Sequence, residues 1–297
     1  MNHVPTVLLD EIRTALALGR VVPYLGPGLL AEGAPVPASP EALATLITAK
    51  VSVPHKIRKR LTAAAQFIEN FKHRKTLVNL LNTAFAPPVL PVPLLQWLAT
   101  HPEVVLLVDS WYDSSARRAF KARGDWGEVQ GLSQAEHFGT WFGWYDADGN
   151  AATATQAAGW NSLLYKPIGS VVPGANYLVS DSDYVEVLTE IDIQTPIPQE
   201  VQTRRSGSGF LFLGCRFTEQ LQRSFARQIM KRSSDRHWAV LPGELTRNEA
   251  RFLTEQGIAR LDLSLEEFAA LFMPQGAVGA RVAHAPVPEQ LAGSLAS

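Results

Sequence analysis

The 297-residue chain holds one cysteine, Cys215, and three methionines. A lone thiol excludes an intrachain disulfide framework and the paired Cys-x-x-Cys ribbons that hold structural zinc, so no metal is expected. It fits a reducing compartment, and a cytoplasmic location is the expectation. No apolar run approaches the ~20 residues that a membrane-spanning helix needs. The first twenty positions mix apolar and charged residues as an amphipathic helix does, which predicts neither export nor membrane insertion. Neither sign of charge is in excess: 27 Lys and Arg stand against 28 Asp and Glu, for a formal net charge of -1. Without a basic surplus to neutralise phosphodiesters, a nucleic-acid partner is not expected. The local basic clusters, Lys56-Ile57-Arg58-Lys59-Arg60 and Lys72-His73-Arg74-Lys75, read as solvated faces beside an amphipathic helical stretch.

What is present is a core-forming chain, 46% hydrophobic and 19% charged. Val7 to Leu18 has helical spacing, and Val21 to Leu25 is a short apolar strand that runs into the turn Gly26-Pro27-Gly28. Pro40 after Ser39 marks a helix start, the helix continuing to Lys50. Ile57 to Phe85 predicts one or two helices, stopped by Pro87-Pro88, and Pro93 to Thr100 another. Val104 to Val108 is a continuous apolar run of the kind buried on both faces of a parallel sheet. Leu163 to Lys166, Tyr177 to Val179, Phe210 to Leu213 and Trp238 to Leu241 are further strands. Asp183 to Glu190, Glu219 to Lys231 and Asn248 to Gln256 are further helices. Strands alternating with helices predict an α/β fold with a parallel sheet and helices on both faces. Gly, Asp, Trp and Phe crowd the stretch between, read as an aromatic-rich insertion over about 114–162. Residues 273–297 are Ala-, Pro- and Gly-rich and are expected to form a flexible tail after one domain over 1–272.

Five segments in order carry a likeness: Leu25-Gly26-Pro27-Gly28-Leu29-Leu30, Val108-Asp109-Ser110-Trp111-Tyr112-Asp113, Lys166-Pro167-Ile168-Gly169-Ser170, Ser180-Asp181-Ser182-Asp183-Tyr184 and Phe210-Leu211-Phe212-Leu213-Gly214-Cys215-Arg216. This succession resembles the sirtuin-like (silent-information-regulator-two type) family, in particular its prokaryotic branch that binds or hydrolyses NAD, over roughly residues 5 to 272. The resemblance implies a Rossmann-like, deoxyhypusine-synthase-like fold with NAD or ADP-ribose as ligand. It places Gly26, Gly28, Asp113, Gly169, Ser170 and Gly214 at the nucleotide. In the family an Asn orients the nicotinamide ribose and a water, and a His acts as base on a ribose hydroxyl. This chain has Trp111 and Ile168 at those positions. Isoleucine has no lone pair to accept a proton, and indole offers one donor and no acceptor, so Trp111 is expected to fill the ribose subsite. Leu30 replaces the serine of the first motif, and the family's four-cysteine zinc ribbon is absent, which disfavours protein deacetylation.

The leading expectation is therefore a sirtuin-like binder of NAD, ADP-ribose or a related nucleotide that has lost the catalytic pair and acts as a sensor or accessory protein. An active NAD glycohydrolase in prokaryotic defence is the enzymatic alternative, with His137 or Asp109 as rescuing groups. A third is a protein-interaction module that presents Trp126 to Trp144 to a partner. Against these stand plainer readings. Gly26-Pro27-Gly28 could be a tight turn without a ligand, Pro27 lacking an N–H in any case. Asp113 could cap a helix at Ser114. Arg204-Arg205 before Ser206-Gly207-Ser208-Gly209 reads as a solvated loop, and the aromatic residues around His137 as a packed satellite core. Asp146-x-Asp148-x-Asn150 reads as a turn, because no Glu follows at the twelfth calcium-loop position. Cys215 is read as inert and buried.

Overall fold

The computed structural model describes residues 4–274 except 192 and 194. The tail expected at 273–297 lies, from residue 275 onward, outside the described residues. The strands in chain order are β1 (Val21–Leu25), β2 (Leu106–Asp109), β3 (Trp126–Gly131), β4 (Phe142–Asp146), β5 (Ala151–Ala152), β6 (Ser162–Lys166), β7 (Gly169–Ser170), β8 (Asn176–Tyr177), β9 (Gly209–Leu213), β10 (His237–Val240) and β11 (Ile258–Leu261). Nine of them form one sheet in the order β11-β10-β9-β1-β2-β6-β3-β4-β5, and β7 pairs β8 separately. Pairing is parallel from β11 to β3 and antiparallel only at the β3-β4-β5 end. The fold is α/β and Rossmann-like, as expected.

The strands are continuous apolar runs because helices cover both faces. Along β9, Phe210 and Phe212 enter one core with Tyr24, Val108 and Tyr165, while Leu211 and Leu213 enter the other with Val21, Leu107 and Trp238. The first face is covered by α2 (Pro40–Lys50), α3 (Leu61–Lys72), α4 (Arg74–Phe85), α8 (Asp181–Ile191), α9 (Gln199–Arg205), α10 (Gln220–Met230) and α11 (Arg247–Glu255). The second is covered by α1 (Val4–Ala17), α5 (Pro93–Thr100), α6 (Ser115–Phe120) and α12 (Leu265–Phe272), with the short α7 (Ala154–Ala157) near the sheet's far end. Ser39 caps α2 by accepting from the Ala42 amide at 3.1 Å. Positive φ at His73 divides α3 from α4, so Ile57 to Phe85 holds two helices. Pro23 is accommodated in the central strand β1 because pairing with β2 begins only at Tyr24.

The stretch read as an insertion is not set apart from the sheet. Its β3 lies parallel beside β6, Trp126 opposite Ser162 through Gln130 opposite Lys166, and only β4 and β5 extend outward as a hairpin. Five elements had no counterpart in the pattern: α7, β7, α9, β11 and α12. The chain leaves β1 toward β2 on one side and leaves β9 toward β10 on the other. The carboxyl ends of β1 and β9 are thus a topological switch point, where α/β sheets open a crevice for ligands.

Candidate functional site

A cavity of about 380 Å³ lies at this switch point, within the usual size of small-molecule sites. Its floor is Tyr24, Gly26, Ser110, Ile168 and Cys215, from the ends of β1, β2, β6 and β9. Its walls come from the first turns of four helices: Pro40 and Glu41 of α2, Leu61 and Thr62 of α3, Asp181 and Tyr184 of α8, and Gln220 to Gln222 of α10. Helix N-termini carry partial positive charge and suit an anionic ligand. Burial pushes the Tyr24 phenol well above its ordinary range, and that of Tyr184 up to about 12. Both therefore remain neutral hydrogen-bonding groups at neutral pH.

The glycine turn contributes to this floor differently from a phosphate cradle. The Gly26 amide donates to the Leu213 carbonyl and the Gly28 amide to the Gly214 carbonyl, each at 2.9 Å. The Leu29 and Leu30 amides close a 3-10 turn on Gly26 and Pro27. Pro27 has no N–H, so every amide from 26 to 30 is taken up within the chain. The glycines answer a packing demand: a Cβ on Gly26 would stand 2.6 Å from the Gly214 oxygen, and one on Gly28 2.9 Å from it. Gly214 is itself at φ +67, with a Cβ position 2.2 Å from the Leu29 nitrogen. These three glycines let the loops after β1 and β9 interlock.

Of the other expected ligand positions, none lines the cavity. Asp113 is buried, and its Oδ2 accepts from the Ser115 amide at 3.0 Å, at the start of α6 but one residue before the N-cap, Ser114. Gly169, at φ +82, lies against the Asn176 backbone: a Cβ there would stand 2.0 Å from the Asn176 oxygen. Ser170 donates to the Tyr112 carbonyl at 3.2 Å. Ile168 does line the cavity, where the sirtuin-like pattern expects an imidazole. Trp111 does not fill a ligand subsite. It is buried against Phe85 and Tyr112, its indole N–H donating to the Pro37 carbonyl at 2.8 Å, so it fastens the 31–39 loop to the core.

Beneath the floor lies a buried ion pair, Lys166 Nζ to Asp109 Oδ2 at 2.7 Å, with Nζ also donating to the Asp113 carbonyl at 2.7 Å. Burial raises the Asp109 carboxyl to about 7 against the pull of Lys166, with Asp113 adding to the rise. Cys215 Sγ faces the Tyr24 and Leu213 carbonyls, and burial pushes its thiol far up, so it is no nucleophile at neutral pH. His137 sits exposed on the loop after β3, and Phe138 beside it is 95% exposed, so these two residues do not belong to a packed satellite core. Trp126, by contrast, is buried against Phe120 and Arg117 and presents nothing to a partner. Asp146 closes the β4–β5 turn by accepting from the Asp148 and Asn150 amides. Among the described residues no three His, Cys, Asp or Glu side chains gather as a metal site. Nor is any described helix long and apolar enough to cross a membrane.

Two basic groups read as solvated are structural. Arg204 donates to the Val105 and Asn161 carbonyls at 3.0 Å each, and Arg205 is buried with a 2.6 Å bond to Ile229 O. Arg74 is half of a network that composition gave no sign of. It meets Asp183 at 2.8 Å, Glu136 at 3.2 Å and Glu69 at 3.3 Å. Asp183 Oδ1 also accepts from Ser133 at 2.5 Å, and Oδ2 from the amides of Val179 and Ser180. Burial alone would raise the Asp183 carboxyl, but Arg74 and these donors together hold it below its usual range.

Comparison with known proteins gives one family. A family model described as a SIR2-like domain matches residues 105–261, just over half of the chain. The match runs from β2 to β11 and takes in Trp111, Ile168 and Gly214, while the Gly26-Pro27-Gly28 turn precedes it. No curated protein matches the chain.

Proposed function

The chain belongs to the SIR2-like domain family, and from that we propose that it binds NAD, ADP-ribose or a related nucleotide in the switch-point cavity without turning it over by the family's route. It would act as a sensor or accessory protein. The observation that carries this reading is Ile168 in the floor of a ligand-sized cavity. A side chain without a lone pair cannot accept a ribose proton, whatever its surroundings. Trp111, drawn into the core, offers no acceptor to orient a water. Bound there, NAD would supply a cleavable glycosidic bond. The chain would supply an aromatic and hydroxyl lining from Tyr24, Ser110 and Tyr184, and cover from α2, α3 and α10. Thermal unfolding with NAD, NADP and ADP-ribose tests the reading. Ligand at a hundred times its Kd stabilises by about 2.7 kcal/mol, and an unchanged Tm with all three would reject it.

One observation favours the enzymatic alternative, an NAD glycohydrolase. Asp109, its carboxyl raised to about 7, adjoins the cavity-lining Ser110 and could exchange a proton near neutrality. A fluorescent NAD analogue decides between the two. Signal growth abolished by Asp109→Asn, but not by His137→Ala or Asp113→Ala, would establish hydrolysis through that carboxyl.

A further inference from the structure

We infer that the cavity holds a phosphate or diphosphate group at its mouth, on the side chains of Lys59 and Arg60, and not on the glycine turn. Three observations converge. The turn has no amide left to donate, since those of Gly26, Gly28, Leu29 and Leu30 all meet chain carbonyls. Lys59 and Arg60 line the cavity, are exposed, and have no ion-pair partner among the described residues.

The third observation is that their placement opposes local electrostatics. They directly precede α3, whose first turn holds no acidic residue and whose N-cap, Arg60, makes no side-chain cap bond. Cations at the positive end of a helix are unfavourable, and a bound anion reverses the sign of that interaction. The other helices opening on the cavity carry their own carboxylates at this position: Glu41 in α2, Asp181 in α8 and Glu219, which folds back to cap α10. Arg216, the remaining cation on the lining, is already held by Glu249 at 2.8 and 2.9 Å. Because cations and carboxylates balance on the lining, an anion would be recognised by direct contact with Lys59 and Arg60, not by a broad positive field.

The ligand's identity as a nucleotide rests on the function proposed above, but the oxyanion site does not, and calorimetric titration separates the two. Inorganic pyrophosphate, ADP-ribose and adenosine are titrated into the intact protein, the double variant Lys59→Gln/Arg60→Gln, and Lys56→Gln as a neighbouring charge change off the cavity. Both cavity side chains are exposed, so folding is expected to persist, checked by an unchanged circular dichroism spectrum. The expected result is that pyrophosphate and ADP-ribose bind the wild type and Lys56→Gln alike, at least about tenfold more weakly to the double variant, with adenosine indifferent to the change. Pyrophosphate binding that is lost in the double variant, with no nucleotide binding, would uphold the oxyanion site and reject the nucleotide reading. ADP-ribose bound equally by wild type and double variant would overturn the oxyanion site and leave the nucleotide reading standing. Binding of neither ligand by the wild type would overturn both.

Discussion

At the scale of single residues, Gly214 shows how a motif can be conformational before it is chemical. Its φ of +67 and the 2.2 Å approach of a would-be Cβ to the Leu29 nitrogen mean that alanine meets both strain and backbone overlap. Gly207 has a similar φ of +71 but open space around it. Gly214→Ala should therefore destabilise by more than Gly207→Ala, whose cost is about 1 kcal/mol from φ alone; urea unfolding of the two variants measures the difference. His237 supplies a pH dependence. Its Nδ1 accepts from the Phe210 amide at 3.0 Å, and burial lowers its pKa from 6.5 to about 4. The unfolded chain takes up this proton first, so the stability His237 lends is complete above about 6.5 and is lost as pH falls toward 4. Urea midpoints between pH 7.5 and 4.5 should fall less steeply in His237→Leu, which has no proton to gain, even though that variant is weaker at pH 7.5 for want of the acceptor.

At the scale of elements, Asp183 ties the start of α8 to α4 through Arg74 and to the loop after β3 through Ser133. Replacing it with alanine takes from Arg74 its nearest carboxylate, leaving Glu69 and Glu136, and strips the Ser133 hydroxyl and the Val179 and Ser180 amides of their acceptor, and should cost about 3 kcal/mol in denaturant unfolding. None of this was readable from the chain, because Arg74 and Asp183 are brought together by tertiary packing and each looks, in sequence, like an ordinary helix-end charge. β1, β6 and β9 were readable for the opposite reason: buried on both faces, they are unbroken apolar runs. β11 is an edge strand, with Ala259 and Arg260 only half-buried, and too short to show a period. β3 was hidden because Glu128 and Gln130 break its apolar pattern; inside the sheet, Glu128 meets Arg117 at 2.6 Å and Gln130 donates to Glu128. Arg204 and Arg205 misled in the same way, a basic pair near a Gly-Ser turn whose donors serve buried carbonyls. For the site, motif order put Ile168 and Trp111 at the family's His and Asn positions; the fold sets Ile168 on the cavity and Trp111 away from it. That difference was not legible, since sequence cannot say whether an indole turns toward a cleft or, as here, under a loop.

At the scale of the whole molecule, a SIR2-like sheet from β2 to β11 is completed by a preceding segment that supplies the central strand β1 and helices α1 to α5. That segment carries Lys59 and Arg60 and the glycine turn, so the cavity is shared between the part that matches the family and the part that does not. Residues 4–104 deleted together would remove β1 from between β2 and β9 and should leave no cooperative unfolding transition by circular dichroism. As proposed, a nucleotide occupies the cavity and survives there. Proton NMR of NAD incubated with the protein reads both halves in one sample. The account predicts NAD resonances that broaden saturably with protein, reversed by excess ADP-ribose, and no free nicotinamide after hours. Accumulating nicotinamide, or NAD signals indifferent to the protein, would contradict it.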